Sequence, residues 1–345
     1  SNLVKTVVSV VHGVAKDAGV NIGQIIYDIN GEYANINQQD KGSIADVFTE
    51  DTKRYSLSPI EGFEDLRNNF YEQISEGFAT ISRDIQASGK STSNYIQAFL
   101  SMSLDEPDKR EVSEHKRWLV KTAAYKALLK RAGFEPPDEH RVKFSANKDV
   151  MNAVNGRLGG SMLDPTRGLS LEEAVAWFTE AREANKTEQL PSSTRGKFWV
   201  DEDLEVLLNM LVQKGPNDSF ISGYQILAPS RPYHSPKRIS DVASEVYEHL
   251  KNGRIVILDL SLGDAVVKER ISKRIASEIF FSSMKAFTDG KIPPTMQVYV
   301  EEAHNLLGKD LYLTHVWPRL AKEGAKYDIG LVYATQEVSS INKNI

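Results

Sequence analysis

Two adjacent carboxylates, Glu301 and Glu302, follow a short apolar run in the segment VYVEEAHN, residues 298 to 305. At a strand end such a pair suits phosphate chemistry, because one carboxylate can hold a Mg²⁺ ion while the other polarises an attacking water molecule. Side chains alternate along a strand, so the strand must end or turn here if both are to reach one pocket. The alternative is a solvent-facing strand end, where two acidic side chains cost little.

A phosphate-binding loop would decide between these interpretations, and GKST at residues 89 to 92 is one candidate. The P-loop pattern requires a first glycine where this chain has Asp84. The residues before GKST have a helical pattern rather than a strand pattern, and an acidic side chain at that position would repel phosphate. The pattern therefore disfavours phosphate binding at this segment.

The start of the chain is a second candidate for phosphate binding. SNLVKTVVSVVHGVAK has a helical pattern from its first turn, and the strand-like run GQIIYDING follows it. If Gly-Lys precedes Ser1 in the natural chain, the Ser1 hydroxyl would contact Mg²⁺, and Ser1 and Asn2 at the helix N-terminus would face the phosphates of a nucleotide. The alternative is that Ser1 and Asn2 are a cloning remnant.

The elements that would position these residues alternate between strands and helices. Strand-like runs occur in GQIIYDING (23 to 31), GRIVILDLS (253 to 261) and IGLVYATQ (329 to 336), as well as in VYVEE. Helical patterns at 239–253 and 264–288 separate the later strands. This alternation predicts an α/β fold with a parallel sheet, for which right-handed crossovers are the default.

The middle of the chain has helical patterns and few strand-like runs. GLSLEEAVAWFTEAR contains a capping box formed by Ser170 and Glu173, and HKRWLVKTAAYKALLKRAG is a helix closed by Gly133. We therefore expect a large helical insertion within the α/β core. The predicted domain bounds are 1–58 for the first part of the core, 59–215 for the insertion and 216–345 for the second part.

Composition excludes several classes of protein. Of the 345 residues, 41% are hydrophobic and 26% are charged, as in ordinary globular proteins, and no apolar run approaches the roughly 18 residues that a membrane span needs. The absence of cysteine excludes disulfides and thiolate zinc sites, which fits a cytoplasmic protein. A formal charge of −5 argues against a broadly basic nucleic-acid coat but leaves local basic loops open.

Three separated segments resemble the ATPase core of the HerA family, within the HerA/FtsK group of DNA-translocating motors. SNLVKTVV resembles the helix after the Walker A loop, and YDINGEYANI resembles the D-x-H-G-E-Y segment with Asn30 in place of histidine. VYVEEAHNLLG followed by RLAKEGAKYDIGLVYATQ resembles the Walker B strand, a basic helix end and the sensor strand. The resemblance implies a RecA-like parallel-sheet P-loop ATPase core with ATP and Mg²⁺ as cofactors.

The same resemblance implies roles for individual residues. Glu301 would hold the metal, Glu302 would activate water, and Gln336 would sense the γ-phosphate. Asp28 and Glu32 match the D-x-x-G-E-Y positions, and Asp28 would orient a metal-bound water molecule. The alternative for the glutamine is a side-chain cap of a buried strand.

Three further residues near these segments have alternatives of their own. Tyr33 matches the last D-x-x-G-E-Y position, whereas Gly31 is equally explained as a turn glycine after a strand. His304 is interpreted as a satisfied polar residue rather than a metal ligand, because no second histidine lies at a zinc-like spacing.

The chain departs from the family in a segment that often reads REGRK. This chain reads KEGAK, with Lys322 and Ala325 at two of the arginine positions. Lysine does not reproduce the planar donors of arginine, so a trans-acting arginine must come from elsewhere or hydrolysis must be weak or partner-dependent. Arg319, one helical turn earlier, is the substitute candidate, and an ordinary surface arginine is the alternative.

A HerA-like motor implies a homo-hexameric ring with ATP between subunits and double-stranded DNA in the pore. Lys268 and Arg270 in KERISKR, with Lys309 after the Walker B strand, are the candidate DNA contacts, and a solvated helix face is the alternative. The leading hypothesis is an ATP-dependent DNA translocase or helicase-like subunit. The alternative is a nucleotide-dependent oligomeric scaffold that activates a partner effector, such as a nuclease in antiviral defence; membrane association is not expected.

Overall fold

The computed structural model describes residues 2–34, 43–90, 93–108, 110–159, 162–192, 196–238, 240–263, 265–309, 311–343 and 345. The chain divides into two compact units. Ser1–Arg67 and Ser240–Ile345 form the first, which we call the sheet unit, and Asn68–Ile239 form the second, the helical unit. The sheet unit is thus built from both ends of the chain.

The strands are short and most of them belong to the sheet unit. In chain order they are β1 (Ile22–Asp28), β2 (Thr52–Ser56), β3 (Glu64–Asp65), β4 (Arg141–Val142), β5 (Leu169–Ser170), β6 (Ile255–Asp259), β7 (Thr295–Val300) and β8 (Ile329–Tyr333).

The α-helices occur in both units. In chain order they are α1 (Asn2–Ala18), α2 (Ile44–Val47), α3 (Ile74–Ala87), α4 (Asn94–Ser101), α5 (Val112–Arg131), α6 (Lys148–Arg157), α7 (Leu171–Glu188), α8 (Glu202–Val212), α9 (Val242–Lys251), α10 (Ala265–Thr288) and α11 (Val316–Glu323).

Six strands of the sheet unit form one sheet in which every neighbouring pair is parallel. The order is β3-β2-β6-β1-β7-β8, so β1 lies between β6 and β7. All residues of β1 after Ile22 are buried, as expected for a strand that helices cover on both faces. The predicted α/β fold with a parallel sheet is confirmed.

Helices α1 and α9 both pack on β1. Val4 and Val8 of α1 share a buried apolar cluster with Ile26 and Tyr299. Helix α9 approaches the start of β1 so closely that a Cβ atom on Gly23 would lie 2.2 Å from the Leu250 carbonyl oxygen. Only glycine therefore fits this position.

A buried glutamine joins three of these elements by hydrogen bonds. The Gln24 side-chain nitrogen in β1 donates to the Val8 carbonyl oxygen of α1 at 3.1 Å. Its side-chain oxygen accepts from the Tyr299 hydroxyl of β7 at 2.8 Å. Because both ends of the amide are satisfied, the cost of burying it is offset, and the two bonds fix the register of α1 on the sheet.

The helix boundaries follow the predicted caps. Ser170 accepts from the Glu173 N–H, and the Glu173 carboxylate accepts from the Ser170 N–H at 2.7 Å, which confirms the capping box of α7. Gly133 follows α5, and Gly253 follows α9; their φ angles of 81° and 74° are left-handed, so they end these helices as predicted. Asp264, predicted to begin α10, lies outside the described residues.

The helical unit has its own core. Helices α5, α7 and α8 pack on one another around buried aromatic side chains, including Trp177 and Phe178. The candidate phosphate loop lies in this unit, where Gly89 and Lys90 follow α3, so a helix precedes them as predicted. Ser91 of that candidate lies outside the described residues. No helix in the described ranges is long and apolar enough to span a membrane.

The contact between β1 and α9 gives a stability prediction. Gly23→Ala should destabilise the protein by about 1–3 kcal/mol or more, because the new methyl group meets a backbone carbonyl that cannot move without shifting α9. Gly13→Ala is the matched control, since nothing lies within 4 Å of a Cβ there and alanine should stabilise α1 by about 1 kcal/mol. Thermal unfolding of both variants measures this, and equal midpoints would contradict the close packing.

Candidate functional site

Three acidic residues line the carboxyl edge of the sheet, the edge at which open α/β sheets bind ligands. Asp259 ends β6 and is paired in register with Asp28, which ends β1. On the other side of β1, Tyr27 is paired with Val300, so Glu301 follows at the level of Asp28. The parallel register therefore places Asp259, Asp28 and Glu301 on three adjacent strands.

The Asp28 carboxylate organises the loop that follows β1. One carboxylate oxygen accepts from the Glu32 N–H at 2.9 Å, and the other accepts from the N–H groups of Tyr33 at 2.9 Å and Ala34 at 3.0 Å. The turn requires Gly31, which has a φ of 76° and would place a Cβ atom 3.1 Å from the Ser261 side chain. Asp28 thus holds a tight turn, and its role toward a metal-bound water molecule stays a prediction.

Burial raises the pKa of Asp28 to about 6, from an ordinary value of 3.8. The three backbone N–H donors lower the pKa again, and the neighbouring Asp259 raises it further. The carboxyl group is therefore ionised at neutral pH at an electrostatic cost, which the turn donors partly offset.

The loop organised by Asp28 holds Glu301. The buried Tyr33 hydroxyl donates to a Glu301 carboxylate oxygen at 2.6 Å, across 268 residues of sequence. Burial, followed by the bond to Glu301, raises the pKa of Tyr33 well above its ordinary value, so the phenol keeps its proton and acts as a donor. Glu301 is itself buried, so this short bond fixes the orientation of its carboxyl group.

The first turns of α1 lie against the same tyrosine. Val4 shares the buried apolar cluster with Tyr33, and the Lys5 ammonium nitrogen lies 5.8 Å from the centroid of the Tyr33 ring. Tyr33 therefore contacts both the start of α1 and Glu301. Ser1 lies outside the described residues, and only the backbone of Asn2, which begins α1, is described.

Glu302 points to the opposite side of β7. Strand β7 ends at Val300, and Glu302 has a left-handed backbone with φ 47° and ψ 50°. A Glu302 carboxylate oxygen accepts from the Gln336 side-chain nitrogen at 3.3 Å, just past the end of β8. Since β7 lies between β1 and β8, Glu301 is held from the β1 side and Glu302 from the β8 side.

His304 completes the polar contacts around Glu302. Its Nδ1 atom lies 3.5 Å from a Glu302 carboxylate oxygen and 3.3 Å from the Thr335 hydroxyl oxygen. No group of three or more histidine or acidic residues in the described part of the chain could hold a metal ion. His304 is hydrogen-bonded to Thr335 beside Glu302, and its interpretation as a polar residue rather than a metal ligand stays a prediction.

The oxygen donors at this edge suit Mg²⁺ better than they suit a metal ion whose ligands all come from the protein. Mg²⁺ prefers oxygen ligands, keeps several waters and commonly takes only one or two carboxylates together with substrate phosphates. Glu301, an oriented carboxylate at the carboxyl edge, could supply the protein oxygen. The predicted second protein ligand of Mg²⁺ is the Ser1 hydroxyl, and Ser1 lies outside the described residues.

Arg319 has partners within its own chain. Its guanidinium centre lies 4.6 Å from the Phe280 ring centroid and 5.3 Å from that of Phe281, and its Nε atom donates to Glu323 at 3.3 Å. To act on a neighbouring subunit, the Arg319 side chain would have to leave these contacts. The trans-acting role of Arg319 stays a prediction.

The three candidate DNA contacts differ in exposure. Lys309 is exposed in the segment after β7. Lys268 is half-buried on α10 and donates to the Ser261 carbonyl oxygen at 3.1 Å, and Arg270 is half-buried on the same helix. Lys309 is thus the most accessible of the three.

The contacts made by Tyr33, Asp259 and Thr335 are not predicted from the sequence. Tyr33 stands out there only as a motif position, although its hydroxyl bonds Glu301. Asp259 ends its strand as Asp28 does, so the shared pattern of an apolar run followed by aspartate was a usable signal. Thr335 carries no signal of its own, because its contact depends on the register of β7 with β8.

Comparison with known proteins adds partial matches. The chain is similar in part to HerA helicases. It is 34% identical over 114 residues to the DNA double-strand break repair helicase HerA of Sulfurisphaera tokodaii, which is 31% of this chain and 22% of that protein. It is 32% identical over 120 residues to the HerA helicase of Sulfolobus acidocaldarius, which is 32% of this chain and 24% of that protein.

A third HerA helicase, of Saccharolobus solfataricus, is 28% identical over 178 residues, which is 48% of this chain and 33% of that protein. The matches thus span between about a fifth and a third of the relatives' own length. No family model matches the chain. The comparisons support a relationship to HerA helicases without extending to individual site residues.

The bond between Tyr33 and Glu301 gives a second stability prediction. Tyr33→Phe should cost about 1–3 kcal/mol in the free energy of unfolding, because a buried carboxylate loses its phenol donor. Tyr312→Phe is the matched control. Tyr312 is 82% exposed, so water can take the place of the lost hydroxyl group. Urea unfolding of both variants tests this. Equal losses in the free energy of unfolding would show that the buried hydrogen bond contributes no more than an exposed hydroxyl group.

The raised pKa of Asp28 predicts a pH effect. The pKa of Asp28 in the folded protein, about 6, exceeds the ordinary value of 3.8. The protonated carboxyl group therefore raises the free energy of unfolding. This contribution is complete below about pH 4 and is lost as the pH rises through 6. The unfolding free energy of the wild type relative to Asp28→Asn should therefore fall by on the order of 1 kcal/mol from pH 5 to pH 7. Urea titrations at both values measure it; a constant difference would contradict the raised pKa.

Proposed function

We propose that this protein is an ATP-hydrolysing subunit of a DNA-translocating, helicase-like motor. The observation that carries the proposal is the placement of Glu301 and Glu302 at the carboxyl edge of a parallel sheet, held by Tyr33 and Gln336 from two other segments. Partial similarity to HerA DNA repair helicases supports the same class of protein.

In this proposal the residues at the sheet edge divide the work of hydrolysis. Glu301, oriented by Tyr33, supplies an oxygen ligand for Mg²⁺, and Ser1 and Asn2 at the start of α1 face the phosphates, with Ser1 as the second ligand. Mg²⁺, when bound there together with ATP, would supply positive charge that neutralises the phosphate oxygens. Glu302 accepts a proton from the attacking water, and Gln336 orients Glu302 and contacts the γ-phosphate.

Asp28 and Glu32 have a supporting place in the proposal. The Asp28 carboxylate and the Glu32 N–H fix the turn that presents Tyr33 to Glu301. In this proposal Asp28 and the turn it holds act on the metal site through Tyr33.

We further propose a homo-hexameric ring with ATP bound between subunits and duplex DNA as the substrate. Lys309, Lys268 and Arg270 are the proposed DNA contacts. Because phosphate contacts by lysine and arginine dominate sequence-independent binding, affinity should fall steeply with salt. A partner nuclease or other effector is part of the proposal for the complete assembly.

The decisive experiment compares ATP turnover with and without duplex DNA. Glu302→Gln should lower kcat by about 10²–10⁴-fold, because the amide cannot accept the proton of the attacking water. Glu337→Gln is the matched control: this exposed carboxylate directly follows Gln336, accepts from the Ser340 hydroxyl at 2.7 Å, and its substitution should leave turnover unchanged.

The outcome separates a motor from a scaffold. A motor requires that DNA stimulates the wild type and that Glu302→Gln abolishes both turnover and DNA movement. Assembly and activation of a partner that persist in Glu302→Gln, without DNA-stimulated turnover in the wild type, would refute the motor and favour a nucleotide-dependent scaffold.

A further inference from the structure

The backbone around Glu302 is fixed by hydrogen bonds between the segments that follow β7 and β8. The Ala303 N–H donates to the Ala334 carbonyl at 2.9 Å, and the Ala334 N–H donates to the Val300 carbonyl at 2.9 Å. The Glu302 carbonyl accepts from the Asn305 N–H at 2.9 Å and from its side-chain nitrogen at 3.0 Å. A left-handed, non-glycine residue costs about 1–3 kcal/mol, so these bonds hold Glu302 in a conformation it would not otherwise adopt.

The Glu302 side chain, in contrast, reaches a partly open space between the Gln336 amide and the His304 ring. One carboxylate oxygen faces the Gln336 nitrogen at 3.3 Å, and the other faces the His304 Nδ1 atom at 3.5 Å. The side chain is 19% exposed, so water can reach it. Each carboxylate oxygen has two lone pairs, and one donor per oxygen leaves a lone pair for water.

The contacts of His304 define which ring nitrogen carries the proton. The Asn305 amide nitrogen, whose identity is fixed by its bond to the Glu302 carbonyl, lies 3.4 Å from His304 Nε2. An amide nitrogen only donates, so Nε2 is the acceptor and the proton of the neutral ring is on Nδ1. The Nδ1 atom itself lies 3.3 Å from the Thr335 hydroxyl oxygen and 3.5 Å from a Glu302 carboxylate oxygen.

Thr335 connects this ring to the segment after β8. Its hydroxyl oxygen lies 3.3 Å from His304 Nδ1 and accepts from the Glu337 N–H at 3.1 Å. Gln336, the next residue, bonds Glu302 directly. A displacement of this segment would therefore move both donors that face the Glu302 carboxylate.

We propose that His304, held by Thr335, is a positioning residue that orients the Glu302 carboxylate toward the attacking water. The inference rests on the proposed ATP hydrolysis and adds a specific route by which the segment after β8 controls it. A general base must be held in a narrow range of orientations, and the His304 ring, 3.5 Å away, is the second polar side chain after Gln336 that faces the Glu302 carboxylate. His304 touches neither nucleotide nor water in this role.

Two substitutions of His304 separate the loss of its hydrogen-bonding nitrogen from the change in side-chain volume. His304→Leu removes the donor, whereas His304→Asn places an amide nitrogen close to the position of Nδ1. We expect kcat to fall about 10- to 100-fold in His304→Leu, with KM for ATP unchanged, since a misoriented base supplies only part of its usual 10²–10⁴-fold effect. His304→Asn should stay within about threefold of the wild type.

Two further variants check that the effect is specific. Thr335→Val should lower kcat in the same direction, and the double variant with His304→Leu should be no worse than His304→Leu alone, because both act through one contact. His249→Leu is the control: this histidine lies in α9 beside Leu250, which packs at the start of β1 and so at the opposite edge of the sheet. An unchanged kcat in His304→Leu, or equal losses in the Asn and Leu variants, would overturn the inference.

A spectroscopic readout separates this inference from the proposed function. In ¹⁵N-histidine-labelled protein, His304 should be protonated on Nδ1, and its Nδ1 resonance should shift in both Glu302→Gln and Thr335→Val. A ring protonated on Nε2, or a resonance that neither variant moves, overturns the contact whatever the turnover. A wild type that does not hydrolyse ATP overturns the proposed function instead, and the resonance then still decides whether His304 holds Glu302.

Discussion

The hydrogen bond from the Tyr33 hydroxyl to Glu301 is the contact on which the candidate site depends. It joins the loop after β1 to the end of β7, and these segments are separated by 268 residues in sequence. Asp28 shapes the loop that carries the tyrosine, and α1 packs on the same ring. The orientation of one carboxylate therefore depends on a strand, a turn and a helix that all lie near the start of the chain.

Electrostatics explains why so many backbone donors gather at this edge. Parallel strands in register bring Asp259, Asp28 and Glu301 together, and like charges in a buried place raise the free energy of the ionised state. The turn after β1 places three N–H groups on Asp28, and Ser261 donates its N–H and hydroxyl to Asp259 at 3.0 and 2.6 Å. These donors offset part of the electrostatic cost of burying the two aspartates side by side.

Local patterns in the sequence predicted the local structure well. The apolar run of β1, the capping box of α7 and the glycine stop of α9 each depend on a few consecutive residues, so periodicity and cap chemistry were sufficient. The position of the acidic pair just after a strand follows from the same kind of local pattern, whereas its role in hydrolysis stays a prediction. The bonds from Tyr33 to Glu301 and from His304 to Thr335 were not predictable, because they depend on which strands are neighbours and in what register. A single sequence carries little information about either.

The arrangement of the sheet also bears on synthesis of the chain. Strand β1 is made early, yet its neighbours β6 and β7 come from the far end of the sequence. While the helical unit emerges from the ribosome, the apolar β1 has no strand to pair with, and exposed strands of this kind favour aggregation. The consequence is that β1 stays unpaired until β6 and β7 have been translated.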